Sequence, residues 1–131
     1  MGSAARSLPE RVVLVVDDEE VICRMTARML ADAGFCALEA HSAEAALAML
    51  ASRKGAVQLV VSDKTMPGMD GVALAATVAA QWPTTPILLI SGHGDPTGYP
   101  WAFLPKPFSQ DALHTAVHSA LARHPQAAGG V

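Results

Sequence analysis

Apolar residues come in short blocks along this chain, and the blocks alternate between two periods. "RVVLVV" (11–16) is a run of branched apolar residues of the kind carried by a strand buried on both faces. From Glu20 to Ala33 the apolar positions Ile22, Met25, Met29, Leu30 and Ala33 recur at helical spacing, and Gly34 supplies a C-terminal stop. "FCALEA" (35–40) reads as a second strand. Ser42 is a fit N-cap for a helix to about Arg53, with Ala43, Ala46, Leu47 and Leu50 on one face. "VQLVVS" (57–62) is a third strand. A turn-rich segment, Asp63 to Gly71, then leads into a helix carrying Val72, Leu74, Ala75 and Val78 and ended by Pro83. "PILLIS" (86–91) and the short "WAFLP" (101–105) are the fourth and fifth strands. Ser109 caps a last helix with a stripe of Leu113, Ala116, Val117, Ala120 and Leu121. Strict alternation of strand and helix predicts an α/β fold: a parallel sheet with helices on both faces.

The alternation breaks once. Between the fourth and fifth strands lie only the residues Gly92–Trp101, with Gly92, Gly94, Gly98, Pro96 and Pro100 among them. A crossover between parallel strands usually takes a dozen or more residues and a helix. Gly costs a helix about 1 kcal/mol relative to Ala, and an interior Pro about 3 kcal/mol. An irregular loop is expected there, with Tyr99 and Trp101 partly covering the sheet edge.

At 131 residues the chain has the length of one domain, expected over 11–124, with tails at 1–10 and 125–131. Hydrophobic residues make up 51% and charged residues 16%, a balance that argues against disorder. The net charge of −3 comes without a Lys/Arg cluster, so the footprint of a nucleic-acid binder is missing. No apolar run reaches membrane-spanning length and no signal-peptide pattern opens the chain, so a cytoplasmic protein without a membrane partner is expected. Cys23 and Cys36 lack C-x-x-C spacing and are expected to be buried free thiols. His114 and His118 lie four apart on the last helix without an acidic third ligand, and read as a solvent-exposed pair. Trp82 and Trp101 read as packing or rim residues.

The chemistry concentrates at one place. In open α/β sheets ligands bind beyond the carboxyl ends of the strands. The first strand ends at Asp17 and Asp18, the third at Asp63, the fourth at Ser91, and Lys106 follows the fifth. Carboxylates crowded together raise one another's pKa unless a cation lies among them. Oxygen ligands with few charges suit Mg²⁺, which takes one or two carboxylates plus a phosphate oxygen. Ser91 and Lys106 supply a hydrogen-bond donor and a charge for a phosphoryl group. A carboxylate can itself accept that group as an acyl phosphate.

With "VVDDEE" (15–20), "VVSDKTMPGMDG" (60–71), "LLISG" (88–92) and "FLPKPF" (103–108), the chain resembles the receiver domain of two-component response regulators over nearly all of residues 12–123. The resemblance implies a doubly wound, flavodoxin-like sheet of five parallel strands in the order 2-1-3-4-5. It also implies phosphoryl transfer to Asp63 from a histidine kinase or histidine phosphotransfer protein. Asp18 and Asp63 would bind Mg²⁺ directly and Asp17 through water, with the backbone carbonyl of Thr65 completing the protein ligands. Ser91 would move toward the phosphoryl group and Lys106 would pair with it. The Lys106–Pro107 bond would be cis. Phe103 would be the switch aromatic, and Pro67 and Gly68 would shape the loop after Asp63, Gly68 at positive φ.

Two features depart from the usual pattern. Thr65 and His93 stand where receivers tune hydrolysis of the aspartyl phosphate, and the fourth crossover helix of the family has no room. Other readings are an Asp-nucleophile phosphatase of the haloacid dehalogenase type and a receiver-like docking module. The first wants D-x-D after the first strand and a cap domain; the second would not need the complete set of Asp17, Asp18, Asp63, Ser91 and Lys106. With few residues after the last helical stripe, no output domain is expected to follow. The chain would then be a stand-alone regulator or a receiver cut from a hybrid histidine kinase.

Overall fold

The computed structural model describes residues 11–54, 56–92 and 99–123. The expected tails, and His93–Gly98 of the expected loop, lie outside the described residues. The elements follow in the order β1 (Val12–Val16), α1 (Glu20–Asp32), β2 (Cys36–Ala40), α2 (Ala43–Ser52), β3 (Leu59–Asp63), α3 (Gly71–Gln81), β4 (Ile87–Ser91), β5 (Ala102–Pro105) and α4 (Gln110–Arg123). The five strands form one parallel sheet in the order β2-β1-β3-β4-β5, as expected.

Alternation along β1 divides the core in two. Val12, Leu14 and Val16 face α2 and α3, packing with Ala43, Ala46, Leu50, Leu74, Ala75 and Val78. Val13 and Val15 face α1 and α4, packing with Cys23, Ala27, Leu30, Leu113, Val117 and Ala120. Both faces of the central strand are therefore covered, which is why it reads as a continuous apolar run.

The helix ends follow local chemistry. Ser42 Oγ accepts from Ala45 N at 3.0 Å and Ser109 Oγ from Ala112 N at 3.0 Å. Asp70 caps α3 the same way, its Oδ1 accepting from Ala73 N at 2.9 Å. That cap was overlooked, although Asp before the first helical residue is its ordinary signal. α1 ends with Gly34 at φ 98°, where Phe35 N donates to Leu30 O and Gly34 N to Ala31 O, the paired bonds of a Schellman motif.

One face was misread. The buried side of α1 is Cys23, Thr26, Ala27 and Leu30, while Met25 is 52% exposed and Ile22 and Met29 are only half-buried. Small residues let the helix approach the sheet closely, so the larger apolar side chains flank the contact rather than make it.

β5 pairs with β4 in parallel register, Leu88 opposite Ala102. Among the described residues of their connection, Gly92 and Tyr99–Trp101, none is helical. Tyr99 and Trp101 stack with ring centroids 6.3 Å apart, and Trp101 and Phe103 pack against the core cluster on the α2/α3 side. Trp82 packs there too. His114 departs from expectation: it is half-buried, with Nε2 enclosed and without a hydrogen-bond partner, whereas His118 is exposed. Both cysteines are free, Cys23 buried and Cys36 half-buried.

Candidate functional site

The sheet order reverses between β1 and β3, and a cleft opens beyond their carboxyl ends, where such sheets bind ligands. Asp18, Glu19, Asp63, Thr65, Ser91 and Lys106 line it. Ladder-like bonds beyond the strands fix its geometry: Lys64 N donates to Ile90 O at 2.7 Å and Lys106 N to Ser91 O at 2.8 Å. The backbone after β3 and the backbone after β5 are thus both held by β4.

Asp63 ends β3. Its Oδ2 lies 3.3 Å from Lys106 Nζ, and its Oδ1 accepts from Thr65 N at 3.3 Å. Lys106 Nζ is also 3.9 Å from Asp17 Oδ2. The ligand oxygens of Asp17, Asp18 and Asp63 gather within 4.8 Å of one another, so the three carboxylates could hold a metal ion. Asp17 is the most enclosed, 4% exposed, and its Oδ1 accepts from Glu19 N at 3.0 Å. Burial pushes its carboxyl above the ordinary value and the Asp63 and Asp18 charges push the same way, while the Glu19 N–H and the Lys106 ammonium pull it back.

Ser91 is buried at the end of β4 and lines the cleft. Lys106–Pro107 is cis. Phe103, half-buried on β5, packs against the core rather than lining the cleft. Gly68 has φ 72°, the positive value expected of it. Sequence reading brought Asp17, Asp18, Asp63, Thr65, Ser91 and Lys106 to one place; His93 lies outside the described residues.

Two residues that hold the site together were missed. Met66, 6% exposed, anchors the loop after Asp63 to the core. Gly71 N donates to Lys64 O at 2.8 Å and closes that loop. A Cβ on Gly71 would run into the Asp63 carbonyl and come within 2.8 Å of Lys64 Cα. The signal for Gly71 was its place after Asp70, at the start of a helix where other residues would serve as well unless something pressed close.

Residues 13–118 match the response regulator receiver domain family. The chain is 34% identical over 116 residues to the sensor kinase CckA of Brucella abortus, an alignment covering 83% of this chain and 12% of that protein. It is 34% identical over 120 residues to the DNA-binding transcriptional regulator NtrC of Salmonella typhimurium, covering 86% of this chain and 25% of that protein. A solved response regulator receiver protein from Sinorhizobium medicae superposes with a TM-score of 0.78 at 34% identity, over 87% of this chain and 97% of the other. The chain belongs to the response regulator receiver domain family, a signalling domain of two-component systems. It spans a quarter or less of these two curated relatives.

Proposed function

We propose that Asp63 accepts a phosphoryl group from the phosphohistidine of a histidine kinase or histidine phosphotransfer protein, and that the modified domain signals through protein contacts. A carboxylate oxygen of Asp63 attacks phosphorus, the N–P bond breaks, and the donor imidazole leaves with its electron pair and takes up a proton. The observation that carries this reading is the Lys106 ammonium 3.3 Å from Asp63 Oδ2 in a cleft with two further carboxylates. That arrangement offers a nucleophile and a counter-charge for the incoming phosphoryl oxygens.

The all-oxygen donor set fits Mg²⁺. Asp18 and Asp63 would hold it directly, Asp17 through water, and the Thr65 carbonyl would complete the protein ligands. Bound there, Mg²⁺ would offset charge on the transferring phosphoryl oxygens. Ser91 would donate to a phosphoryl oxygen once the group is on Asp63, and Phe103 would respond to that movement. Thr65 and His93 would tune how fast water removes the group. Self-phosphorylation and self-dephosphorylation are then the chain's only chemistry; it turns over no separate substrate.

Residues 11–124 form the working unit in this reading. No helix among the described residues is long and apolar enough to cross a membrane, and a cytoplasmic site of action fits a kinase partner there. The test is incubation with Mg²⁺ and acetyl phosphate: one phosphoryl group should be added, and none to Asp63→Asn. Equal labelling of that variant would overturn the assignment.

A further inference from the structure

A second group of ligating side chains lies on the α1 side of β1 and β2, where none of the receiver chemistry above uses it. Cys23 on α1, Glu39 on β2 and His41 just after β2 offer one sulfur, one oxygen and one nitrogen, all within 4.8 Å of one another. Glu39 pairs with Val15, whose side chain faces α1, so the strand projects Glu39 toward the helix that carries Cys23, and His41 follows just past the strand end. Cys23 is 0% exposed, whereas the Glu39 and His41 side chains are 30% and 40% exposed. The group thus has a closed floor and an open mouth.

We propose that Cys23, Glu39 and His41 form a site for a zinc-class transition-metal ion. The donor set excludes the hard ions: Mg²⁺ and Ca²⁺ take oxygen, whereas a mixture of thiolate, imidazole and carboxylate suits Zn²⁺ in a tetrahedral site with water in the fourth position. Bonds of about 2.0–2.3 Å to the ion would draw the three donors in by about an ångström, a movement within reach of side-chain rotation. The imidazole lies between two carboxylates, each just beyond hydrogen-bond distance. Its Nε2 lies 3.6 Å from Glu39 Oε1, and its Nδ1 lies 4.0 Å from Glu20 Oε2. A carboxylate on the far nitrogen is the usual device that fixes a ligating histidine.

Without an ion the Cys23 thiol is protonated, so metal binding there would release its proton. Burial pushes the Cys23 thiol up to about 11, and the Glu39 and Asp17 charges add to the push. The Cys23 sulfhydryl faces the Val15 and Ala40 carbonyls, at 3.5 and 3.8 Å, two acceptors that a metal-bound thiolate would give up. A divalent cation replaces that proton and meets the surrounding negative charge.

Co²⁺ is the probe, added to the whole chain in excess Mg²⁺ so that the acidic cleft is occupied. A cobalt–thiolate bond gives a charge-transfer absorption that oxygen ligation does not. That band should appear in the wild type and persist in Asp18→Ala and Cys36→Ser. Cys23→Ser should abolish it, and Zn²⁺ should displace it. His41→Ala, at an exposed position where folding is not at risk, should weaken Co²⁺ binding by more than about tenfold, since loss of an outer-sphere partner alone costs that much. The proposal is overturned if the wild type shows no band, or if His41→Ala binds Co²⁺ as tightly as the wild type.

Discussion

Lys106 sets its ammonium 3.3 Å from Asp63 Oδ2, two side chains 43 residues apart in sequence and brought together by β4. Because the same ammonium faces Asp17, it neutralises part of the charge that would otherwise draw in a cation. Lys106 would therefore compete with a Mg²⁺ ion bound among the carboxylates. Lys106→Ala should tighten Mg²⁺ binding several-fold while slowing phosphorylation, and Asp18→Ala should weaken Mg²⁺ binding. Mg²⁺-dependent shifts in melting temperature measure both. Weaker Mg²⁺ binding by Lys106→Ala would contradict the competition.

The enclosed Asp17 gives a pH dependence of definite sign. Its folded-state pKa is raised above 3.8, so the folded protein binds that proton more tightly than the unfolded chain does. Stability of the Mg²⁺-free protein is then lost as pH rises from about 3.8 through the raised value. Asp17→Asn keeps the acceptor for Glu19 N and removes the charge. In EDTA it should melt higher than the wild type at neutral pH, with the difference closing toward pH 4. A variant less stable than the wild type at neutral pH would show that the Lys106 and Glu19 contacts outweigh burial.

Gly71→Ala tests the packing behind Asp63. Ala ordinarily favours a helix over Gly by about 1 kcal/mol, yet here the methyl would meet the Asp63 carbonyl. Overpacking against backbone costs about 1–3 kcal/mol. The variant should melt lower than the wild type and accept phosphate more slowly. A stabilised, fully active Gly71→Ala would mean the loop yields freely.

The β4–β5 connection offers a reporter. Lys64, next to Asp63, has its Nζ 5.4 Å from the Tyr99 ring centroid, and Tyr99 stacks on Trp101. In a Trp82→Phe background, the phosphoryl mimic beryllofluoride should change Trp101 emission. It should not drive dimerisation if, as its Gly and Pro content implies, the short β4–β5 connection supplies no crossover helix to wall that face. Sedimentation showing a tight mimic-dependent dimer, lost on mutating the exposed side of α4, would contradict this.

Periodicity carried the strands and the helix positions because each is a local property. It failed for the face of α1: Ile22, Met25 and Met29 look like a stripe, but the sheet accepts Cys23, Thr26, Ala27 and Leu30, and which face packs is decided by the partner. Asp17, Asp18, Asp63, Ser91 and Lys106 were legible because each ends or follows a strand, so topology alone carries them to one edge. Gly71 and the Cys23–Glu39–His41 group were not, since each depends on a close approach between segments that no spacing along the chain encodes.

The most direct measurement is the chemical identity of the modified residue. After reaction with Mg²⁺ and acetyl phosphate, borohydride reduces an aspartyl phosphate to homoserine, which peptide mass mapping locates. Homoserine is expected at position 63 alone, absent without phosphodonor and absent from Asp63→Asn. Homoserine at position 17 or 18, or a phosphoryl group on a histidine, would contradict it.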